Sequence, residues 1–209
     1  MRPIPNLGEL QQYNVNRPDQ VEVIRSSLYD RATYVDAVTT QLQFFQVPAG
    51  QSSKTLADTN MEAAGTLPSP KSFLIETIEL YFFPGNIIGG AGLAATAALN
   101  LDDLYDLTSV GWLELFIGSK NYLQEGPLMK FPPSKGLGGL QSAADTTANT
   151  GVKVDYASLV GAVFEVEPQI LLVPTQNFKV TLNWAAAVNI NANCPIVCSL
   201  GGLLYRNSQ

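Results

Sequence analysis

Five glutamates, Glu76, Glu79, Glu114, Glu165 and Glu167, fall in or near segments of strand character. Two carboxyls opposed across a cleft are the equipment of a glycosidase: one protonates the leaving group and the other acts as base or nucleophile. Sequence sets no separation between them, and carboxylates at solvent-facing sheet positions are the ordinary case. Asp102, Asp103 and Asp106 form a second acidic group on one helical segment. They have the hardness a divalent cation wants but not the spacing or glycine of an EF-hand. Helix-start electrostatics already accounts for two of them. Trp112, Trp184, Tyr81, Phe82 and Phe116 are the raw material of a sugar-stacking platform, although aromatics on strands more often fill a core or a subunit interface. Lys135-Gly136-Leu137-Gly138-Gly139 and Gly118-Ser119-Lys120 have the flavour of phosphate loops, but neither has GxxxxGK followed by Ser or Thr.

Two absences narrow the chemistry further. The chain contains no histidine, which removes the commonest general base, metal ligand and physiological pH switch. Ser-His-Asp and Cys-His systems are thereby excluded. The two cysteines, Cys194 and Cys198, share one face of a strand, too far apart along it for an easy disulfide. Without histidine or further cysteine they make no zinc site and read as small buried hydrophobes. No catalytic, cofactor-binding or metal-ligating residue is assigned, and the chain is expected to be a non-enzyme that carries no cofactor.

The elements that would position these residues are strands. In Gln176 to Trp184, the residues Phe178, Val180, Leu182 and Trp184 alternate with Lys179, Thr181 and Asn183. Successive side chains of a strand point to opposite faces, so this predicts a strand with one buried and one wet face. Thr39 to Val47 is β-prone. Phe73 to Phe83 predicts a long strand with Leu74, Ile78, Leu80 and Phe82 on one face, and with Phe73, Ile75 and Tyr81 beside Thr77 and Glu79 on the other. Both faces are largely apolar, so both are expected to be covered. Trp112 to Ile117 alternates as well, with Leu113, Leu115 and Ile117 together. Shorter strands are expected within Tyr122 to Phe131 and at Val152 to Tyr156, Ala162 to Val166 and Ile170 to Val173, with Glu167-Pro168 separating the last pair. Ile196 to Tyr205 closes the chain, with a bulge expected at Gly201-Gly202.

Between the strands, Asn100 caps a short helix from Leu101 to Thr108. Val21, Ile24 and Leu28 have helical spacing after Asp19, which predicts a helix within Arg17 to Val38. Ala49 to Pro70 is a long polar excursion, a length uncommon in a compact domain unless the loop binds something. Gly89 to Ala98 is a small-residue loop, and Ser134 to Thr150 is rich in Gly, Ser, Ala and Thr. About eight strands with turn signals between them predict an all-β antiparallel two-sheet sandwich, best read as a jelly roll. An immunoglobulin-like sandwich fits less well because its Cys, Trp, Cys order is missing. Residues 1–38 are expected to be an N-terminal arm and 39–206 the sandwich domain.

Composition bears on partners. Of 209 residues, 46% are hydrophobic and only 14% are charged, the latter well below the usual quarter. Such a surface suits coverage by neighbouring subunits, because charge is depleted at interface cores. A surface rich in Asn, Gln, Ser and Thr explains it equally well. Net charge is −6 and pI about 4.6, which argues against electrostatic gripping of nucleic acid. In the arm, Arg2, Arg17, Arg25 and Arg31 are balanced by Glu9, Asp19, Glu22 and Asp30. Met1 to Asn16 lacks the apolar run of a signal peptide. The uncharged stretches Phe83 to Asn100 and Val180 to Tyr205 are too interrupted by Gly, Asn and Pro to read as membrane helices.

Three segments, LADTNM (Leu56 to Met61), LPSPKSFLIETIELYFFPG (Leu67 to Gly85) and LLVPTQNFKVTLNW (Leu171 to Trp184), together resemble the small jelly-roll major capsid proteins of tailless icosahedral bacteriophages and related viruses. The resemblance spans Thr39 to Arg206. It implies a shell subunit in trimeric or pseudo-hexameric capsomers, made in the host cytoplasm and resident in the virion. The partners it implies are identical subunits, other capsid proteins and the periphery of an internal viral membrane, with no sequence-specific grip on nucleic acid. It carries over no catalytic residues. The contrasting expectation is a lectin-like or adhesin β-sandwich. A hydrolase built on paired carboxylates is a third.

Overall fold

A computed structural model of the chain describes residues 21–83, 100–134, 140–143, 153–156, 161–190 and 193–207. Ten strands and one α-helix are defined: β1 (Val21–Tyr34), β2 (Gln41–Phe44), β3 (Ser72–Phe82), α1 (Asn100–Val110), β4 (Gly111–Ile117), β5 (Lys120–Glu125), β6 (Leu140–Ala143), β7 (Lys153–Tyr156), β8 (Phe164–Leu172), β9 (Phe178–Trp184) and β10 (Cys194–Asn207). The expected segments Met1 to Asn16, Gly89 to Ala98 and Lys135 to Gly139 lie outside the described residues.

Eight strands form two antiparallel four-stranded sheets, β1-β10-β3-β8 and β2-β9-β4-β5. Their order follows from one operation. β1 pairs with β10, β2 with β9, β3 with β8 and β4 with β5, the rungs of one long ribbon folded at the β4–β5 turn. Rolling that ribbon brings β10 against β3 and β9 against β4, which joins the rungs into two sheets. This is the jelly roll. β6 and β7 pair only with each other, as a hairpin inserted between β5 and β8. Gly118, at φ 59°, makes the tight β4–β5 turn.

The core lies between the sheets. Phe44, Leu113, Leu115, Val180 and Leu182 face Tyr34, Phe73, Ile75, Ile78, Ile196 and Leu200, all buried. Each such side chain contributes about 1.5–3 kcal/mol when fully buried. α1 closes one end of the sandwich by burying Leu104 and Leu107. It is fixed there by Trp184, whose indole N–H donates to the Leu107 carbonyl at 2.9 Å.

Several expectations change. Val21 to Tyr34 is not helical. It is an edge strand paired along its whole length with β10, so the sandwich begins at Val21 and the arm does not extend to residue 38. The apparent helical period arose because this strand carries apolar residues on both faces. Ile24 and Leu28 share the inner parity, while Val21 and Val23 pack in a small outer cluster with Leu74, Leu203 and Tyr205. In β3 the alternation breaks at Glu76, an extra residue opposite the Gly201–Gly202 step. Phe73 and Ile75 therefore share the core face with Ile78 and Leu80, and Leu74 points outward. The bulge expected at Gly201-Gly202 is present as this register shift. Glu167-Pro168 does not divide one strand from another. It sits inside β8 where the register slips between Glu165 and Ile170, the kind of irregularity that accommodates a residue with no N–H to donate.

Candidate interaction surfaces

The polar residues of β9 do not form a wet face. Thr181 is 1% exposed and Asn183 6%, because β9 is an interior strand of its sheet with neighbours on both sides. Asn183 donates from Nδ2 to Glu114 at 3.0 Å and to the Thr181 hydroxyl at 3.2 Å, and accepts from Gln41 Nε2 at 2.7 Å. Gln43 donates on to Gln41 at 3.1 Å. Glu114 is thus the acceptor at the centre of an amide and hydroxyl ladder across β2, β9 and β4. Half-buried Trp112 and Phe116 flank it on the same strand. Lys179 lies over the Phe116 ring at 5.2 Å, an arrangement that attracts the cation to the ring face.

The other glutamates are placed elsewhere. Glu76, the bulge residue, accepts from Arg25 at 2.9 Å and Gln169 at 3.1 Å. Glu79 accepts from the Tyr81 hydroxyl at 2.8 Å and from the Ser134 N–H at 3.0 Å. Burial, then Glu79 beside it, pushes the Tyr81 phenol above its ordinary range. Glu165 and Glu167 line a cleft of about 340 Å³ between edge strands β5 and β8, together with Glu125. Glu76, Glu79 and Glu114 are each committed as acceptors in separate networks. Of the aspartates on α1, Asp103 is buried and Asp106 exposed. Among the described residues no cluster of three His, Cys, Asp or Glu side chains is arranged to hold a metal ion. Cys194 and Cys198 are free and buried. Burial lifts the Cys194 thiol to about 12 and the Cys198 thiol higher still, so both are inert thiols in the folded chain. Trp184 is a core residue, edge-on to Tyr34 at 4.8 Å.

The segment after β2 gives the clearest architecture. Asp30 of β1 is fully buried. Its Oδ2 accepts the Phe45 N–H at 2.6 Å and its Oδ1 accepts Lys54 Nζ at 2.6 Å. One inward carboxylate thereby ties β1 to the end of β2 and to the following loop. Phe45 takes φ 69° to aim its N–H there, a costly conformation for a bulky residue. Next in the loop comes LADTNM. Asp58 accepts from the Thr55 N–H and hydroxyl at 3.0 and 2.9 Å and pairs with Arg31. Thr59 is buried and donates to the Tyr29 carbonyl at 3.1 Å. Asn60 accepts the Tyr29 N–H at 3.0 Å and donates to the Ser27 carbonyl at 2.8 Å. Its side-chain amide thus completes hydrogen bonds that a neighbouring strand would otherwise supply to the β1 edge. Met61 descends into the core, while Leu56 stands 71% exposed. The long loop is therefore built onto the sheet and presents a defined outer surface. Sequence alone identified its length but not Asp30, whose inward carboxylate looked like one of the arm's balancing charges.

Large exposed hydrophobics gather at the opposite end. Val35 and Val38 lie in the β1–β2 connection, Phe83 after β3, Tyr105 and Val110 on α1, and Met129 after β5. Jelly-roll topology brings these connections to one end, where the β9–β10 connection is also hydrogen-bonded to the β1–β2 connection: Ala37 N–H to the Val188 carbonyl, and Ile190 N–H to Asp36.

No family model, curated protein or solved structure matches the chain. No helix among the described residues is long and apolar enough to cross a membrane.

Proposed function

We propose that this chain is a structural subunit, the major capsid protein of an icosahedral virus shell, which self-assembles into trimeric or pseudo-hexameric capsomers. The observation that carries this reading is the jelly roll itself together with where its surface is unfinished. Jelly rolls are a recurrent architecture of viral capsids, and six large hydrophobic side chains stand exposed in connections that meet at one end of this one. Large apolar side chains exposed at one end of a sandwich are the material of an interaction site. The charge-poor composition is consistent with burial of much of the surface by neighbouring copies.

Light scattering across concentration and ionic strength, followed by negative-stain microscopy, tests the reading. Trimers, six-fold-like capsomers or closed shells are the expected result. A persistent monomer under every condition sinks it.

A second reading, a glycan-binding module, is favoured by the outer face of the β2-β9-β4-β5 sheet. There half-buried Trp112 and Phe116 flank Glu114 beside the exposed amides of Gln41 and Gln43, the pairing of ring faces and planar hydrogen-bonding groups that sugars require. Binding on a glycan array that Trp112→Ala abolishes, with a monomeric protein, would replace the capsid reading by this one.

A further inference from the structure

The loop that follows β2 helps to wall a cleft of about 510 Å³. Its floor belongs to the core, where Leu28, Met61 and Leu67 are buried. Leu204 of β10 and the exposed Leu56 extend the aliphatic lining. Internal hydrogen bonds set these walls in place. Asn60 accepts the Tyr29 N–H at 3.0 Å and donates to the Ser27 carbonyl at 2.8 Å. The Tyr29 hydroxyl donates to the Leu56 carbonyl at 2.5 Å, and the Ala49 N–H to the Met61 carbonyl at 3.0 Å. A largely preformed apolar cleft with a few polar groups is the usual form of a small-molecule site.

The lining selects the class of occupant. Among the described residues that line the cleft, none is aromatic and none is arginine. Rings to stack a sugar or a base are therefore missing, and so are the side chains that anchor most protein partners. Flexible aliphatic surface remains, and a saturated hydrocarbon chain matches it. The polar end is equally specific. Lys71 lines the cleft and already holds a carboxylate, that of Glu62. Glu62 is the more exposed of the two, 60% against 30% for Lys71, and an exposed pair of this kind is worth little. Glu62 can turn into water at small cost, while Lys71 stays and requires another carboxylate.

We infer that the cleft binds a single-chain alkyl carboxylate from solution. Its hydrocarbon lies against Leu28, Met61, Leu67 and Leu204, and its carboxylate takes the place of Glu62 on Lys71. The site is complete within one chain, so it stands or falls apart from assembly.

Calorimetric titration of the full chain with linear saturated carboxylates, from octanoate to myristate and below their micelle concentrations, tests the site. One molecule should bind per chain. Affinity should rise about fourfold for each added methylene, the gain from burying one such group, and level off once the tail fills the cleft. Lys71→Gln should weaken binding about tenfold or more, as expected for the loss of a charged hydrogen bond. Glu62→Gln should tighten it, because the competing carboxylate is gone, and a damaged fold does not produce a gain. No binding at any chain length by a chain that still unfolds cooperatively overturns the site. So does uptake of many molecules per chain with no dependence on tail length. An alkylamine that binds as well as the carboxylate of equal length overturns the role of Lys71, as does a Glu62→Gln chain with unchanged or weaker affinity. Retention on phosphatidylglycerol vesicles without binding of the free carboxylates overturns the proposal in favour of a membrane-facing surface.

Discussion

Asp30 shows how much one side chain can organise. A carboxylate in an apolar core is tolerated only when its charge and lone pairs are met. Here Lys54 and the Phe45 N–H meet them, so the cost of burial is offset by stapling three segments together. Asp30→Ala leaves Lys54 and the Phe45 N–H without their acceptor. We expect a loss of about 3–5 kcal/mol, the range for breaking one side of a buried pair, read from the urea unfolding midpoint. Asp58 in the same loop works at the surface. Its carboxyl is held below the ordinary aspartate range, first by the Thr55 N–H, then by the Thr55 hydroxyl, and further by Arg31 and Lys54. A depressed folded value means the contribution is complete above the unfolded aspartate value and is lost as pH falls through the lower folded one. Asp58→Asn should therefore lower stability near neutrality, where the contribution is complete, and converge on the unsubstituted chain at the acid end, flattening the acid limb of the stability–pH curve measured by thermal melts between pH 2 and 7 (about the interval spanning ordinary carboxylate titration).

At the scale of elements, β3 and β10 decide how the sheet is shared between core and outer face. Their bulge needs glycine in a literal sense. A Cβ on Gly202 would lie 1.8 Å from the Leu74 carbonyl oxygen, and one on Gly201 would lie 2.4 Å from the Thr77 hydroxyl. The first contact is with backbone and cannot be relieved by a rotamer. Gly202→Ala is expected to cost about 3 kcal/mol or more, or to shift the register. Gly118→Ala, whose Cβ would meet nothing but whose φ is 59°, should cost only about 1–2 kcal/mol. Parallel urea titrations of the two variants separate packing from backbone strain. The bulge also explains what alternation along Phe73 to Phe83 missed. Period-two reasoning carries a face assignment across any number of residues, and a single extra residue such as Glu76 reverses it.

For the molecule as a whole, the jelly roll makes the last strand indispensable. β10 lies between β1 and β3, pairing Val21 with Asn207 and Tyr34 with Cys194. A chain ending at Asn193 loses the strand that joins these two and a quarter of its first sheet. It should show no cooperative unfolding transition by circular dichroism, whereas the full chain should show one. Much of the architecture was legible beforehand. Alternation in Trp112 to Ile117 placed Leu113, Leu115 and Ile117 in the core, and alternation in Gln176 to Trp184 placed Phe178, Val180, Leu182 and Trp184 there. Asn100 and its aspartates marked the start of α1, and turn residues separated the strands. Side-chain period is a local property, so local sequence reveals it. Strand neighbours are not local. Only the rolled ribbon put β9 inside its sheet and covered Thr181 and Asn183, recruited residues 21–34 as an edge strand instead of a helix, and turned Asp30 inward to hold a loop that begins fifteen residues later. Sequence determined which segments would be strands and which side of most would be apolar; tertiary structure decided what stood on the other side, because that depends on pairings between residues distant in the chain.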